Sequence, residues 1–146
     1  MSYIPYLQKL GYTFIKPPLI VGGHAMAFHN IRNPGHDFDI VVSSEDWKCL
    51  KNKYPDKINL FGGMTEDDVD ATLNLDMFDI DIIKTLWLHN YDELSSDSVN
   101  GEGVKFISIP KLLYIKSFPS FRHSDEKSTK DIELIIEHII KQKNNN

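Results

Sequence analysis

The chain holds one cysteine, two arginines and no apolar run that approaches 18 residues. A lone Cys49 excludes an internal disulfide and points to a reducing compartment, the cytoplasm. It stands among lysines with no partner for nucleophilic chemistry nearby in the sequence. The absent apolar run, with an N-terminal MSYIPYLQKLGY that lacks a signal-peptide pattern, leads us to expect no membrane partner. Basic residues are outnumbered 16 to 21, for a net charge of −5. That balance argues against broad nucleic-acid binding through a basic face. No G-K-[ST] follows a glycine loop, no G-x-G-x-x-G occurs, and the histidines lack zinc-ligand spacing.

What remains is an ordinary globular composition, 41% hydrophobic over 146 residues, enough for one domain with a single core. Residues 3–12 read as a short helix or cap, ended by Pro17-Pro18. Leu19–Val21 is a short apolar strand closed by Gly22-Gly23, and 24–31 has helical character. RNPG makes a turn and DFDIVV a strand. Ser43 to Asp46 opens a helix that runs to about Lys53. Residues 57–61 read as a strand, TEDDVD as a solvated acidic loop, and 73–83 as one long strand. A polar loop over 94–103 precedes a strand VKFISI, a helix begun by Pro110, and a last helix from Ser124 to about Lys141. Its isoleucines, from Ile132 to Ile140, are expected to pack in the core, and Asn144–Asn146 to fray. These elements predict an α/β (α+β) domain with a short mixed sheet flanked by helices.

Asp37-Phe38-Asp39 is the feature with chemistry in it. Alternation on a strand places both carboxylates on one face and Phe38 in the core. Carboxylates so close repel, and a cation between them relieves the repulsion. Asp79 and Asp81 share a parity in the 73–83 run and offer a further carboxylate from a second strand. Ligation by oxygen alone favours Mg²⁺ or Mn²⁺ over zinc. Two such ions about 3.5–4 Å apart would clamp an in-line phosphoryl displacement. Acidic residues also alternate with apolar ones on any strand with a wet face, so the pattern does not decide alone.

The Gly22-Gly23 turn adds the second half. Glycines between a strand and a helix let a phosphate approach the backbone, where the helix start attracts negative charge. Such a turn also takes glycine for conformational reasons. The order is what counts: strand, Gly-Gly, helix, turn, then Asp-Phe-Asp, with Asp37 14 residues after Gly23.

In that order the chain resembles the nucleotidyltransferase superfamily, the polymerase-beta-like fold. LIVGGHAMAFHNIRNPGHDFDIVV carries the first part of the pattern and FDIDIIK the third-carboxylate strand. ISIPKLLYIKSFPSFRHSDEKSTKDIELI looks like the closing segment of small bacterial and viral members, where a Pro-led helix bearing a Lys precedes an Arg and a Lys-Asp pair. The matches cover about half the chain, near residues 19–43, 73–84 and 107–136. The resemblance implies a minimal nucleotidyltransferase fold and transfer of a nucleoside monophosphate from a triphosphate such as ATP to a hydroxyl. It implies that Gly22 and Gly23 hold the triphosphate and that Asp37 and Asp39 ligate Mg²⁺ or Mn²⁺. Asp81 would be the third carboxylate and general base, with Asp79 as its competitor for that place. Ile82-Ile83 after Asp81 favours Asp81. Lys116 and Lys130 are candidates for phosphate contacts. His24, which opens the helix after the glycines, is a candidate to face the nucleotide, and His36 adjoins the first aspartate.

The chain departs from the family pattern in two places. Gly23 stands where many members have Ser, and Arg32 is one place further from the first aspartate than in the Arg-x-Thr-x-Asp run of many relatives, with no Thr. The acceptor would be an RNA end, a protein hydroxyl or a small molecule, and its site would come from the terminal helices, a partner chain or a second copy. For a viral member the compartment would be the host cytoplasm. The rival reading is a non-catalytic module of the same fold, acting as a toxin–antitoxin-type partner. A metal-dependent phosphohydrolase shares the carboxylates but would not need the glycine turn.

Overall fold

The computed structural model describes residues 2–60, 65–66, 70–118 and 126–145, with side chains of the last stretch from 129 onward. Expectations for Phe61, Gly62-Gly63, Asp67-Asp68, Arg122, His123 and the helix start at Ser124 lie outside the described residues. Among the described residues there are six α-helices and one seven-stranded sheet. The order along the chain is α1 (Ile4–Gln8), β1 (Leu19–Val21), α2 (Gly22–Phe28), β2 (Phe38–Val41), α3 (Ser44–Lys53), β3 (Ile58–Leu60), β4 (Ala71–Leu75), β5 (Ile80–Ile83), α4 (Tyr91–Ser95), β6 (Val99–Asn100), β7 (Lys105–Phe106), α5 (Ile109–Ser117) and α6 (Glu126–Asn144). Across the sheet the strands stand β3-β4-β5-β2-β1-β7-β6. The pairs β2–β5 and β1–β7 are parallel and the others antiparallel, so the sheet is mixed, as expected. It is wider than expected, although no strand exceeds five residues.

Local chemistry sets the helix ends. Ser43 caps α3 by accepting from the Asp46 backbone N–H, and Ser108 caps α5 by accepting from Lys111, with Pro110 in the first turn. Asn90 and Glu93 form a reciprocal capping box on α4. That helix runs two residues into the stretch 94–103 expected to be a loop, and β6 lies within it. The final strand is shorter than VKFISI: Ile107 N still donates to Ile20 O at 3.1 Å, and Ser108 then caps α5.

One expectation fails in an informative way. Residues 73–83 are not one strand but a hairpin, β4 and β5, joined by a 3₁₀ turn over Asp76–Phe78. The sequence does carry a mark of the reversal: Leu73, Leu75 and Met77 hold one phase, and the adjacent apolar pair Met77-Phe78 shifts it to Phe78, Ile80 and Ile82. Asp79 closes the turn at φ 56°, in the left-handed region that aspartate tolerates better than most residues.

The centre of the sheet carries the core. Leu19, Ile20, Phe38, Ile40, Leu73, Leu75, Ile80 and Ile82 are all within 1% of complete burial. Such a core, at about 25 cal/mol per Å² of apolar surface removed from water, supplies most of the drive to fold. The isoleucines of α6 only half follow: Ile135 is fully buried, while Ile136 and Ile140 are 43% and 51% exposed. The acidic loop also differs from a purely solvated one, since Glu66 is half-buried and accepts from Trp47 Nε1 at 2.7 Å and Lys51 Nζ at 2.9 Å.

Candidate active site

The register of four strands builds the site. Val21 pairs with Asp39, Asp39 with Asp81, and Asp81 with Asn74. Residues directly opposite one another in a sheet share a face, so Val21, Asp39, Asp81 and Asn74 form one row across β1, β2, β5 and β4. The row puts two carboxylates side by side on parallel neighbouring strands. Asp37 lies one residue ahead of β2 and is exposed, and its charge reaches Asp39.

The electrostatics register this crowding. Burial pushes the Asp39 carboxyl up to about 7, helped by the charges of Asp81 and Asp37 and by a hydrogen bond shared with Asp81. Lys116 works in the opposite direction. A carboxyl that is half protonated near neutrality, beside a second carboxylate, has a strong preference for any cation that replaces the shared proton.

The glycine pair closes over the same spot. Gly22 follows β1 with φ +64°, and a Cβ there would stand 2.6 Å from Asp39 Oδ2. Both the conformation and the approach require glycine. At Gly23 a Cβ would meet the Gly35 backbone N at 3.1 Å and Arg32 Nη1 at 3.4 Å. The 32–35 turn therefore lies directly over the glycines.

Arg32 is not idle. Its Nε donates to Asp131 Oδ1 at 2.8 Å and its Nη2 to Asp131 Oδ2 at 3.1 Å, and Lys116 Nζ donates to the same Oδ2 at 3.0 Å. Burial works to raise the Asp131 carboxyl, but the hydrogen bonds and charges of Arg32 and Lys116 outweigh it and hold the group below its usual range. Two cations thus stand beside the glycine turn, anchored by one buried aspartate of α6. The sequence singles out Lys116 but not Asp131, which reads there only as the partner of Lys130. The structure reverses that pair: Lys130 is exposed and Asp131 faces inward.

Two further candidates are corrected. Asp79 is exposed at the hairpin turn, off the strand, and its backbone carbonyl accepts from Phe38 N at 2.8 Å. It cannot share the face of Asp81. His24 is 3% exposed; its ring packs edge-on against Phe38 and Tyr3, and its Nδ1 lies 3.3 Å from the Tyr3 hydroxyl. Phe38 points to the sheet face opposite Asp39, so His24 belongs to an aromatic core cluster and not to a nucleotide surface. His36 is exposed, and Cys49 is exposed and free.

Asn74 and Asp131 are the residues of this candidate site that sequence reasoning passes over. A single polar residue between Leu73 and Leu75 looks like the wet side of a strand, and only the register shows what it meets.

Among the described residues, no group of three or more His, Cys, Asp or Glu side chains is arranged to hold a metal ion. The donor chemistry still fits one class of cation. Mg²⁺ is commonly bound through one or two carboxylates, with water and substrate phosphate completing its shell, rather than in an all-protein cage. Asp39 and Asp81 are such a pair, both oxygen donors. No helix among the described residues is long and apolar enough to cross a membrane. Compared with protein-family models, curated proteins and solved structures, the chain matches none.

Proposed function

We propose that the chain is a metal-dependent nucleotidyltransferase of the minimal polymerase-beta-like fold, moving a nucleoside monophosphate from a triphosphate to a hydroxyl. One observation carries the reading: Asp39 and Asp81 stand in register on parallel strands, with Gly22 pressed against Asp39 by a backbone no other residue adopts easily. Asp39 and Asp81 would hold Mg²⁺ or Mn²⁺, with Asp37 at the rim. When bound, the divalent cation would neutralise the charge that develops on the phosphoryl oxygens.

The protein's own groups divide the remaining work. The backbone at Gly22 and Gly23 leaves room for a phosphate, and Arg32 and Lys116 beside it supply positive charge to the triphosphate. Asp131 keeps those two cations in place before substrate arrives, so little reorganisation accompanies binding. Asp81 would accept the proton of the attacking hydroxyl. The acceptor, whether an RNA end, a protein hydroxyl or a small molecule, would enter from the exposed Asp37 side.

The test is pyrophosphate release from each ribonucleoside triphosphate with Mg²⁺, beside an Asp39→Ala control. Turnover that disappears in the control supports the transferase. Release of phosphate without pyrophosphate would indicate a hydrolase. Binding of triphosphate without turnover, over every acceptor class, would leave the non-catalytic module.

A further inference from the structure

Asp81 has two oxygens and two neighbours in its row. On the β4 side, Asn74 Nδ2 donates to Asp81 Oδ1 at 2.9 Å. On the β2 side stands Asp39, its partner in the register of the two parallel strands. The Asn74 amide is itself held: Thr72 Oγ1, on the same strand and only 7% exposed, donates to Asn74 Oδ1 at 3.3 Å. With its oxygen engaged by Thr72, the amide turns its NH₂ toward Asp81. The chain Thr72–Asn74–Asp81 thus ends on the carboxylate pair.

We infer that Asn74, oriented by Thr72, is the positioning residue of this pair: it fixes one oxygen of Asp81 and presents the other toward Asp39 for a divalent cation. The inference rests on the reading of Asp39 and Asp81 as a cation site, and goes beyond it by assigning a role to two residues of β4. A carboxylate rotates about its terminal bond within a broad well. Two of them brought together by strand register alone would each be free to turn away from a shared ion. An amide donor on the far side of Asp81 removes that freedom for one partner, as outer hydrogen bonds do around metal ligands generally. Hydrogen bonds to a ligating carboxylate cost about 10–100-fold in metal affinity when removed.

The experiment uses the full chain and Mn²⁺ alone, with free Mn²⁺ read by electron paramagnetic resonance. Two variants keep the branching and the heavy-atom count of the side chain while removing the contacts: Asn74→Leu deletes the donor, and Thr72→Val deletes the hydroxyl that orients it. Asn74→Leu is expected to raise the Mn²⁺ dissociation constant about tenfold. Thr72→Val is expected to raise it by a smaller factor in the same direction. Wild-type Mn²⁺ affinity in a folded Asn74→Leu chain overturns the inference, whether or not its melting temperature drops, since a purely packing role moves stability alone. If Asn74→Leu does not fold, Thr72→Val decides in the same way. A wild-type chain that binds no Mn²⁺ overturns both this inference and the cation site beneath it. A wild-type chain whose Mn²⁺ affinity falls on Asn74→Leu yet which releases no pyrophosphate sinks the transferase and leaves the positioning role standing.

Discussion

Asp46 and Asp39 are both aspartates drawn out of water, and they are treated in opposite ways. Asp46 is fully buried at the start of α3 and is saturated with donors: Tyr12 Oη at 2.5 Å, Ile15 N at 2.8 Å, Lys16 N at 3.0 Å and Ser43 Oγ at 2.9 Å. Those bonds tie the segment before β1 to the helix after β2. Asp39 is surrounded largely by charge of its own sign, from Asp81 and Asp37, with Lys116 in partial compensation. A carboxylate that serves the fold is fully satisfied, whereas one left in repulsion is relieved only by a proton or a cation. The comparison can be broken by experiment, because the two sites predict opposite responses to mutation.

The largest difference is in turnover. Asp39→Ala should lower pyrophosphate release by two to three orders of magnitude or more, the scale on which one group stabilising transition-state charge acts. Its melting temperature at pH 8 should hold or rise, because the substitution removes a repelling carboxylate. A marked fall in stability together with retained activity would place Asp39 in the same class as Asp46.

Next comes pH. Burial and the neighbouring carboxylates push the Asp39 carboxyl up to about 7 in the folded chain, from an ordinary 3.8. The folded state therefore binds more protons than the unfolded state between those limits, and stability falls as pH rises through the window. The contribution is fully present below about pH 4 and gone above about pH 7, with an upper bound of roughly 4 kcal/mol. A divalent cation takes the place of the proton, so Mg²⁺ should raise the melting temperature more at pH 8 than at pH 6. Asp39→Asn should flatten both the pH dependence and the Mg²⁺ effect. Thermal scans at the two pH values, with and without Mg²⁺, check each statement.

Asp46→Ala tests the other side. It leaves a tyrosine hydroxyl and two backbone N–H groups without their acceptor, each costing about 1–3 kcal/mol when buried. A loss of roughly 3 kcal/mol or more in urea unfolding is expected, with Mn²⁺ affinity of the folded fraction unchanged. Gly22→Ala stands between the two sites in kind. The left-handed backbone alone costs a non-glycine residue about 1–2 kcal/mol, and the new Cβ would push Asp39 Oδ2 away from 2.6 Å. It should therefore lose both stability and cation affinity.

Much of this was legible in the sequence, for reasons that particular residues make plain. Strand β1, the glycine turn, β2 and α3 were readable because local signals agree there: an apolar run, glycines, a Ser43 cap and clean alternation. Their adjacency, and hence the pairing of Asp39 with Asp81, is set by register between strands about forty residues apart, which no local period encodes. Asp131 goes unseen for the same cause, since Arg32 lies 99 residues away, whereas Asn74 goes unseen as long as 73–83 is read as one strand, because only the reversal sets it against Asp81 seven residues on. His24 was misplaced because helical character does not say which side of a seven-residue helix meets the core. The hairpin within 73–83 escapes a reading that follows the phase of Phe78, Ile80 and Ile82 and passes over the slip at Met77-Phe78.

That hairpin supplies the smallest effect and the sharpest contrast between neighbours. Asp79 and Asp81 have the same parity, and a reading by alternation makes them equivalent. In the structure Asp79 sits at φ 56° in the turn, while Asp81 stands in the row with Asp39. Glycine tolerates that backbone better than aspartate does, so Asp79→Gly should change stability by less than about 1 kcal/mol, with relief of strain opposed by added freedom in the unfolded chain. Its Mn²⁺ affinity and turnover should match wild type, whereas Asp81→Asn should lose both. The two variants differ by one strand pleat in sequence. If Asp79→Gly instead weakened Mn²⁺ binding as strongly as Asp81→Asn, the ligands would come from the turn, and the four-strand row would not be the site.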